Sequence, residues 1–163
     1  MKRPFSLLAL AALASACASV PMAPPERDLA AKQFLPTPGK ANLYVFRDET
    51  FGAAVKMSLV LDGRMFGDTA ARTFLLTTVD PGRHVLVSKA ENDARLEFDA
   101  APGANVFVWQ EVKMGVLMAR SKLHLIDEAS GRERVNSCKL AIGEFPLPPL
   151  PAPGPQAPAV PGS

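Results

Sequence analysis

The side chains able to do chemistry are few and widely spaced. His84 and His124 are the only imidazoles of the 163-residue chain, and nucleophilic catalysis needs a Ser or Cys beside a histidine that a carboxylate orients. Neither histidine lies in a nucleophile motif. His84 follows the Pro81-Gly82 turn, which predicts a residue at a strand start bonded to local backbone or packed on a sheet edge. His124, between Leu123 and Leu125, points to the face opposite them and is expected at the surface or at an interface. A metal centre built on these would need two more ligands from Asp, Glu or Cys138, and no short spacing announces one. The acidic pairs Asp48-Glu49, Glu91/Asp93 and Asp127-Glu128 lack the apolar surroundings that would raise a pKa for acid catalysis, and are read as solvated turn formers. Glycine-rich phosphate loops are absent. Trp109, the single tryptophan, ends the apolar run Val106-Phe107-Val108-Trp109, where a core position is expected before a sugar-stacking platform. Arg132, Arg134 and Lys139 form a modest basic stretch, a weak candidate for lipid headgroups or an acidic polymer and more simply a solvated helix face. No catalytic, metal or cofactor residue is assigned, and no enzymatic activity is expected.

The residue singled out for function is Cys17. Lys2 and Arg3 make a positive n-region and Phe5 to Ala14 a ten-residue apolar stretch, an export signal too short to span a bilayer, which takes about 20 apolar residues. It ends Leu13-Ala14-Ser15-Ala16-Cys17. That ending resembles the lipobox of bacterial lipoproteins, with Ala14 where the box more often has Leu. The resemblance implies cleavage after residue 16, acyl chains on Cys17 and, with Ala18 in place of an Asp, an outer-membrane destination facing the periplasm. Two or three acyl chains, at about 0.8 kcal/mol per buried methylene, hold a protein on a membrane essentially permanently. The alternative is an ordinary A-x-A signal cut after Ala18, which would release a soluble periplasmic or secreted protein. Either route leaves Cys138 without an intrachain partner, so it is expected as a small buried hydrophobe rather than in a bond between molecules.

Composition narrows the partners. Without Lys2 and Arg3 the chain carries equal numbers of basic and acidic residues, 16 of each, which excludes a strongly basic nucleic-acid binder. Of the 16 prolines, only Pro81 and Pro102 fall within residues 41–145. Four regions follow: the signal 1–16, a lipid anchor and proline-rich tether 17–40, a globule 41–145, and a proline-rich tail 146–163 expected as solvated polyproline II. Within the tether, Glu26 to Phe34 has room for about two helical turns but little apolar face.

The globule reads as short strands separated by turns every eight to twelve residues. Leu43 to Phe46 is apolar on both faces, and Val55 to Leu61 alternates as a half-buried strand. Asp62-Gly63 closes a hairpin with positive φ at both positions, and strands follow at 64–67, 72–79, 84–89, 95–99 and 105–112, with Pro81-Gly82 and Pro102-Gly103 as turns. A further strand is expected through Leu117 and Met118, continuing at Leu123 to Ile126. Asp127 then caps a short helix that Gly131 weakens by about 1 kcal/mol relative to Ala. The expected fold is mainly all-β: an antiparallel β-sandwich of seven or eight strands, immunoglobulin- or prealbumin-like, with a short C-terminal helix.

On Leu43-Tyr44-Val45-Phe46-Arg47, Leu61-Asp62-Gly63 with Gly67, Val79-Asp80-Pro81-Gly82-Arg83-His84 and Pro102-Gly103, residues 43–142 resemble the bacterial lipoprotein domains catalogued as domain of unknown function 2846. Those motifs specify turns and strands and carry no catalytic assignment. The resemblance implies an envelope lipoprotein with a β-sandwich. The functional expectation is a lipid-anchored, non-catalytic module that presents a sheet surface to another envelope protein. A small-ligand or polysaccharide-binding sandwich is the alternative.

Overall fold

A strand that is apolar on both faces needs cover on both sides, and the fold is arranged around one such strand. The computed structural model describes residues 19–117 and 119–151; the expected signal, Cys17, Met118 and residues 152–163 lie outside the described residues. In chain order the elements are α1 (Pro25–Ala31), β1 (Ala41–Arg47), β2 (Met57–Leu61), β3 (Arg64–Thr69), β4 (Thr73–Val79), β5 (Gly82–Lys89), β6 (Asp93–Ala100), β7 (Asn105–Lys113), β8 (Arg120–Ile126), α2 (Glu128–Asn136) and β9 (Lys139–Leu140). They form a β-sandwich of a five-stranded sheet, β8-β7-β1-β4-β9, and a four-stranded sheet, β3-β2-β5-β6. The expected fold class is the one observed, with a short helix near the C-terminal end.

Every residue of β1 is buried. Leu43 and Val45 point between the sheets and pack with Leu59, Leu75 and Leu86. Tyr44 and Phe46 point the other way, into a second apolar cluster with Phe74, Leu76 and Phe107 that Ala31, Phe34 and Val135 roof over. The molecule therefore has three layers, with α1, α2 and their flanking segments on the outer face of the larger sheet. Asp127 caps α2 by accepting from Ser130 N at 3.0 Å.

Four expectations need correction. The smaller sheet is wholly antiparallel, but in the larger one β1 pairs with β7, and β4 with β9, in parallel. The chain crosses through the other sheet before β7 and through α2 before β9, and such crossovers are what allow parallel neighbours. Second, residues 20–40 are part of the domain and not a tether standing off it. Val20, Asp28, Ala31 and Phe34 are buried, and Met22 bridges Ala141. The prolines mislead because Pro25 occupies the first turn of α1, where a missing N–H costs nothing. Third, no strand runs through Leu117: the Glu91 carboxylate takes the Val116 and Leu117 N–H groups, at 3.2 and 2.9 Å, that a ladder would have used. Fourth, the proline-rich tail begins docked. Pro146 O accepts from Thr77 Oγ1, Pro148 O accepts from the Arg27 guanidinium, and Leu147 packs on the outer cluster.

The turn reading holds at Asp62-Gly63 and at Pro102-Gly103, where Ala104 N donates to Ala101 O at 3.1 Å, but at Pro81-Gly82 the chain only bends as it passes between the sheets, and Gly82, at φ 133°, already pairs with Ala100 in β5. Asp62 and Gly63 both have positive φ, 49° and 78°, as a two-residue hairpin of this kind requires. Gly67 lies at a bulge in the β2–β3 pairing and has no room for a side chain. A Cβ there would sit 2.9 Å from Gly143 Cα.

Candidate functional site

Both histidines are structural pairs. His84 Nδ1 lies 2.7 Å from Asp62 Oδ2 and its Nε2 2.7 Å from the Asp80 carbonyl, while Asp62 Oδ1 accepts from Val85 N at 2.9 Å. Burial against Phe98 works to lower the imidazole pKa. The Asp62 hydrogen bond, the Asp80 carbonyl and the two nearby carboxylates outweigh it, and the net shift is upward. Two acceptors facing the two ring nitrogens suit the imidazolium, in which both nitrogens donate. Lys40 in turn bonds Asp80 and holds its carboxyl below the usual range. Among the described residues no serine or cysteine hydrogen-bonds to His84. The constellation clips the Asp62-Gly63 hairpin to Asp80 and the start of β5, close to the local role expected of it.

The β7–β8 register sets Trp109 opposite His124, and several expected solvent groups gather there. The His124 ring stacks on Trp109 with centroids 4.9 Å apart, and the Arg134 guanidinium sits 4.1 Å from the indole centroid. Trp109 Nε1 donates to Glu49 Oε2 at 2.8 Å, Val112 N to Glu49 Oε1 at 2.6 Å, and His124 Nε2 lies 2.8 Å from Glu111 Oε2. Arg134 grips Asp48 through two bonds of 2.7 and 2.8 Å. The Lys113 hydrogen bond chiefly holds Glu111 below the usual carboxylate range, with His124 adding to it. Asp48-Glu49 is thus not a solvated turn former, and Arg134 is not a solvated face: they lock the β1–β2 loop to α2 and β7. The indole, half-buried on the outer face, is occupied by neighbours and offers no open sugar platform.

The other acidic pairs stabilise turns. Asp93 pairs with Lys89 at 2.6 Å, and Glu128 accepts from Arg132. Arg132 in addition lies over the Phe34 ring. Cys138 is buried, and burial pushes its thiol up to about 11. It is therefore inert as a nucleophile at neutral pH, in line with a buried-hydrophobe role.

Four residues given no structural role of this kind in the sequence matter more. Arg47 is fully buried, and its guanidinium donates to the carbonyls of Val55 (2.7 Å), Phe51 (3.3 Å) and Gly52, so one side chain organises the whole β1–β2 loop. Burial lowers its pKa, with Glu49 acting in the opposite sense. Asn42 and Asn105 bond each other and supply amides to Leu35 O and Phe34 O, which accounts for a Phe34 held at φ 53°. Gly131, inside α2, faces Phe107 so closely that a Cβ would lie 2.3 Å from the ring. The signal for Arg47 was an arginine ending a strand otherwise apolar on both faces.

Two surface features remain. A cavity of about 250 Å³ lies over Tyr44 and Leu76, walled by α1, Leu35 and the Leu147–Pro151 stretch, and lined mainly by apolar groups. Neither histidine reaches it. Tyr44 donates to Ala31 O at 3.0 Å, and burial pushes its phenol up, so no ionised group is offered there. At one end of the sandwich, the β7–β8 loop carries exposed Met114, Val116 and Leu117, with Phe51 exposed on the β1–β2 loop. Among the described residues no group of three or more potential metal ligands converges, and no helix is long and apolar enough to cross a membrane.

No family model matches the chain, and no solved structure matches it. A protein of Haemophilus influenzae described as an uncharacterized protein is 33% identical over 139 residues, covering 84% of this chain and 83% of the relative. With both sequences covered over most of their length at that identity, the chain belongs to the same family as the Haemophilus influenzae protein.

Proposed function

We propose that the protein is a lipid-anchored component of the cell envelope that works by contact rather than catalysis. In this reading acyl chains on Cys17 hold it in the outer membrane facing the periplasm, where its partner is another envelope protein. The observation that carries the proposal is the junction between the lipobox-like Leu13-Ala14-Ser15-Ala16-Cys17 and the domain. Val20 is buried and Met22 bridges Ala141, so only residues 18 and 19 separate the thiol from packed structure. Acyl chains at Cys17 would therefore hold the domain at the bilayer surface with a reach of about 10 Å. The absence of catalysis is supported by the consumption of both imidazoles and the Asp48-Glu49 pair in hydrogen bonds that stabilise turns and loops. A small-ligand role is the second reading, and the cavity between α1 and Leu147–Pro151 is what favours it.

The test is fractionation of the native protein beside Cys17→Ser. Loss of the variant from the membrane fraction is the expected result. A variant that stays with membranes, or a mature N-terminus at Ser19 by mass spectrometry, overturns the anchor and leaves a soluble periplasmic protein cut after Ala18.

A further inference from the structure

The β1–β2, β5–β6 and β7–β8 loops gather at one end of the sandwich, and we propose that this end docks onto an anionic lipid surface. Met114, Val116 and Leu117 are 80%, 86% and 90% exposed, with Phe51 beside them at 52%. Adjacent large apolar side chains left this open mark a contact surface. The tip is held in place rather than loose. The Glu91 carboxylate accepts from the N–H groups of Val116 and Leu117, and Glu91 N donates to Ala119 O at 3.1 Å. That ladder of bonds fixes the loop backbone with its side chains outward.

Next to the tip an open groove of about 450 Å³ lies between β6 and β8. Arg95, Lys113, Arg120 and Lys122 line it, and no acidic residue does. Arg95 also pairs with Glu97, and Lys113 with Glu111, each at 2.9 Å, which leaves Arg120 and Lys122 as the main source of positive potential. Ser121 forms the floor. Asn92 holds it through two bonds of 2.9 and 3.0 Å, and its buried hydroxyl has no hydrogen-bond partner. Met114 borders both the basic groove and the apolar hollow beside Phe51.

Apolar groups at the extremity with cations just behind them match the order of a lipid leaflet, hydrocarbon inside and anionic headgroups outside. A free phosphate would use the groove and leave the tip in water. A purely apolar partner would cover the tip and leave the groove unmatched. The tip is also remote from the first packed residues of the chain: residues 20–23 run alongside 140–142 beside β9, at one edge of the larger sheet, whereas the tip is carried by β7 and β8 at the other edge.

The experiment is cosedimentation of the mature chain carrying Cys17→Ser, so that no acyl group contributes, with vesicles of phosphatidylcholine alone or with about one-third phosphatidylglycerol. Binding to the anionic vesicles is expected, and it should weaken by at least about tenfold in Val116→Asp/Leu117→Asp and in Arg120→Glu/Lys122→Glu. All four positions are exposed, and circular dichroism checks that both variants stay folded. No binding to anionic vesicles, or undiminished binding by either variant, overturns the proposal. Equal binding to neutral vesicles overturns the role of the groove. Binding of inorganic phosphate alone, blocked by the charge variant and indifferent to the tip variant, would identify a free-anion site instead.

Discussion

Arg47 and Gly131 show why single residues in this chain are misjudged by type. A buried guanidinium is expensive unless its donors are used, and Arg47 uses its two terminal nitrogens on three carbonyls of one loop, while its buried Nε has no hydrogen-bond partner. Arg47→Met should lower stability by roughly 2–4 kcal/mol, because it leaves those carbonyls without a donor; a shifted urea midpoint at unchanged slope would report it. Gly131→Ala sets two effects in opposition. Helix propensity gains about 1 kcal/mol, while a Cβ placed 2.3 Å from the Phe107 ring forces a repacking that costs about 1–3 kcal/mol. Net destabilisation is expected, and a more stable variant in thermal unfolding would contradict the close approach. His84 adds a pH dependence. Its folded pKa is raised, so its pairing stabilises fully below the unfolded value near 6.5 and fades as pH rises through the folded pKa. The stability gap between the native chain and His84→Asn should therefore shrink as pH rises from about 6.5 through the raised folded pKa in chemical denaturation. A gap that widens over that range would place the histidine in its neutral form.

Among the elements, the helical layer departs most from the sequence reading. Proline counts made residues 17–40 a tether, yet α1 and the turn at Phe34 cover Tyr44, Phe74 and Phe107. The clue was in β1, whose outer face of Tyr44 and Phe46 needed a roof that nothing in the expected sandwich supplied. Trypsin gives the comparison: Arg27 and Lys32 are tied to Pro148 O and Asp28, so they should resist cleavage while the exposed Lys113–Lys122 segment is cut first. Phe34→Ala removes the side chain that anchors the layer. It should cost about 3–5 kcal/mol and open Arg27 and Lys32 to the protease. Rapid cleavage of the native chain at those two residues would restore the tether.

For the whole molecule, Cys138 is the reporter. It is buried between the outer sheet face and α2, with its thiol pushed up to about 11, so a thiol reagent should label it only as fast as the domain opens. Rapid labelling of the folded protein, or a covalent dimer under oxidising conditions, would contradict that. Much of this architecture was legible from residue order. Alternation, turn chemistry and the Asp127 cap are local rules, so most of the strands, the Asp62-Gly63 and Pro102-Gly103 turns, α2 and the sandwich class could be read directly, as could the lipobox-like ending at Cys17. Local rules could not say which strands become parallel neighbours, that the Pro25 and Leu147 segments fold back to make a third layer, or that Asp48, Glu49 and Arg134 meet across 86 residues at Trp109. Nor could they place Met114 to Leu117 beside the basic groove, since Arg95 reaches that groove from a different sheet. Those outcomes depend on contacts between residues distant in sequence, whose gain appears only once the layers have packed.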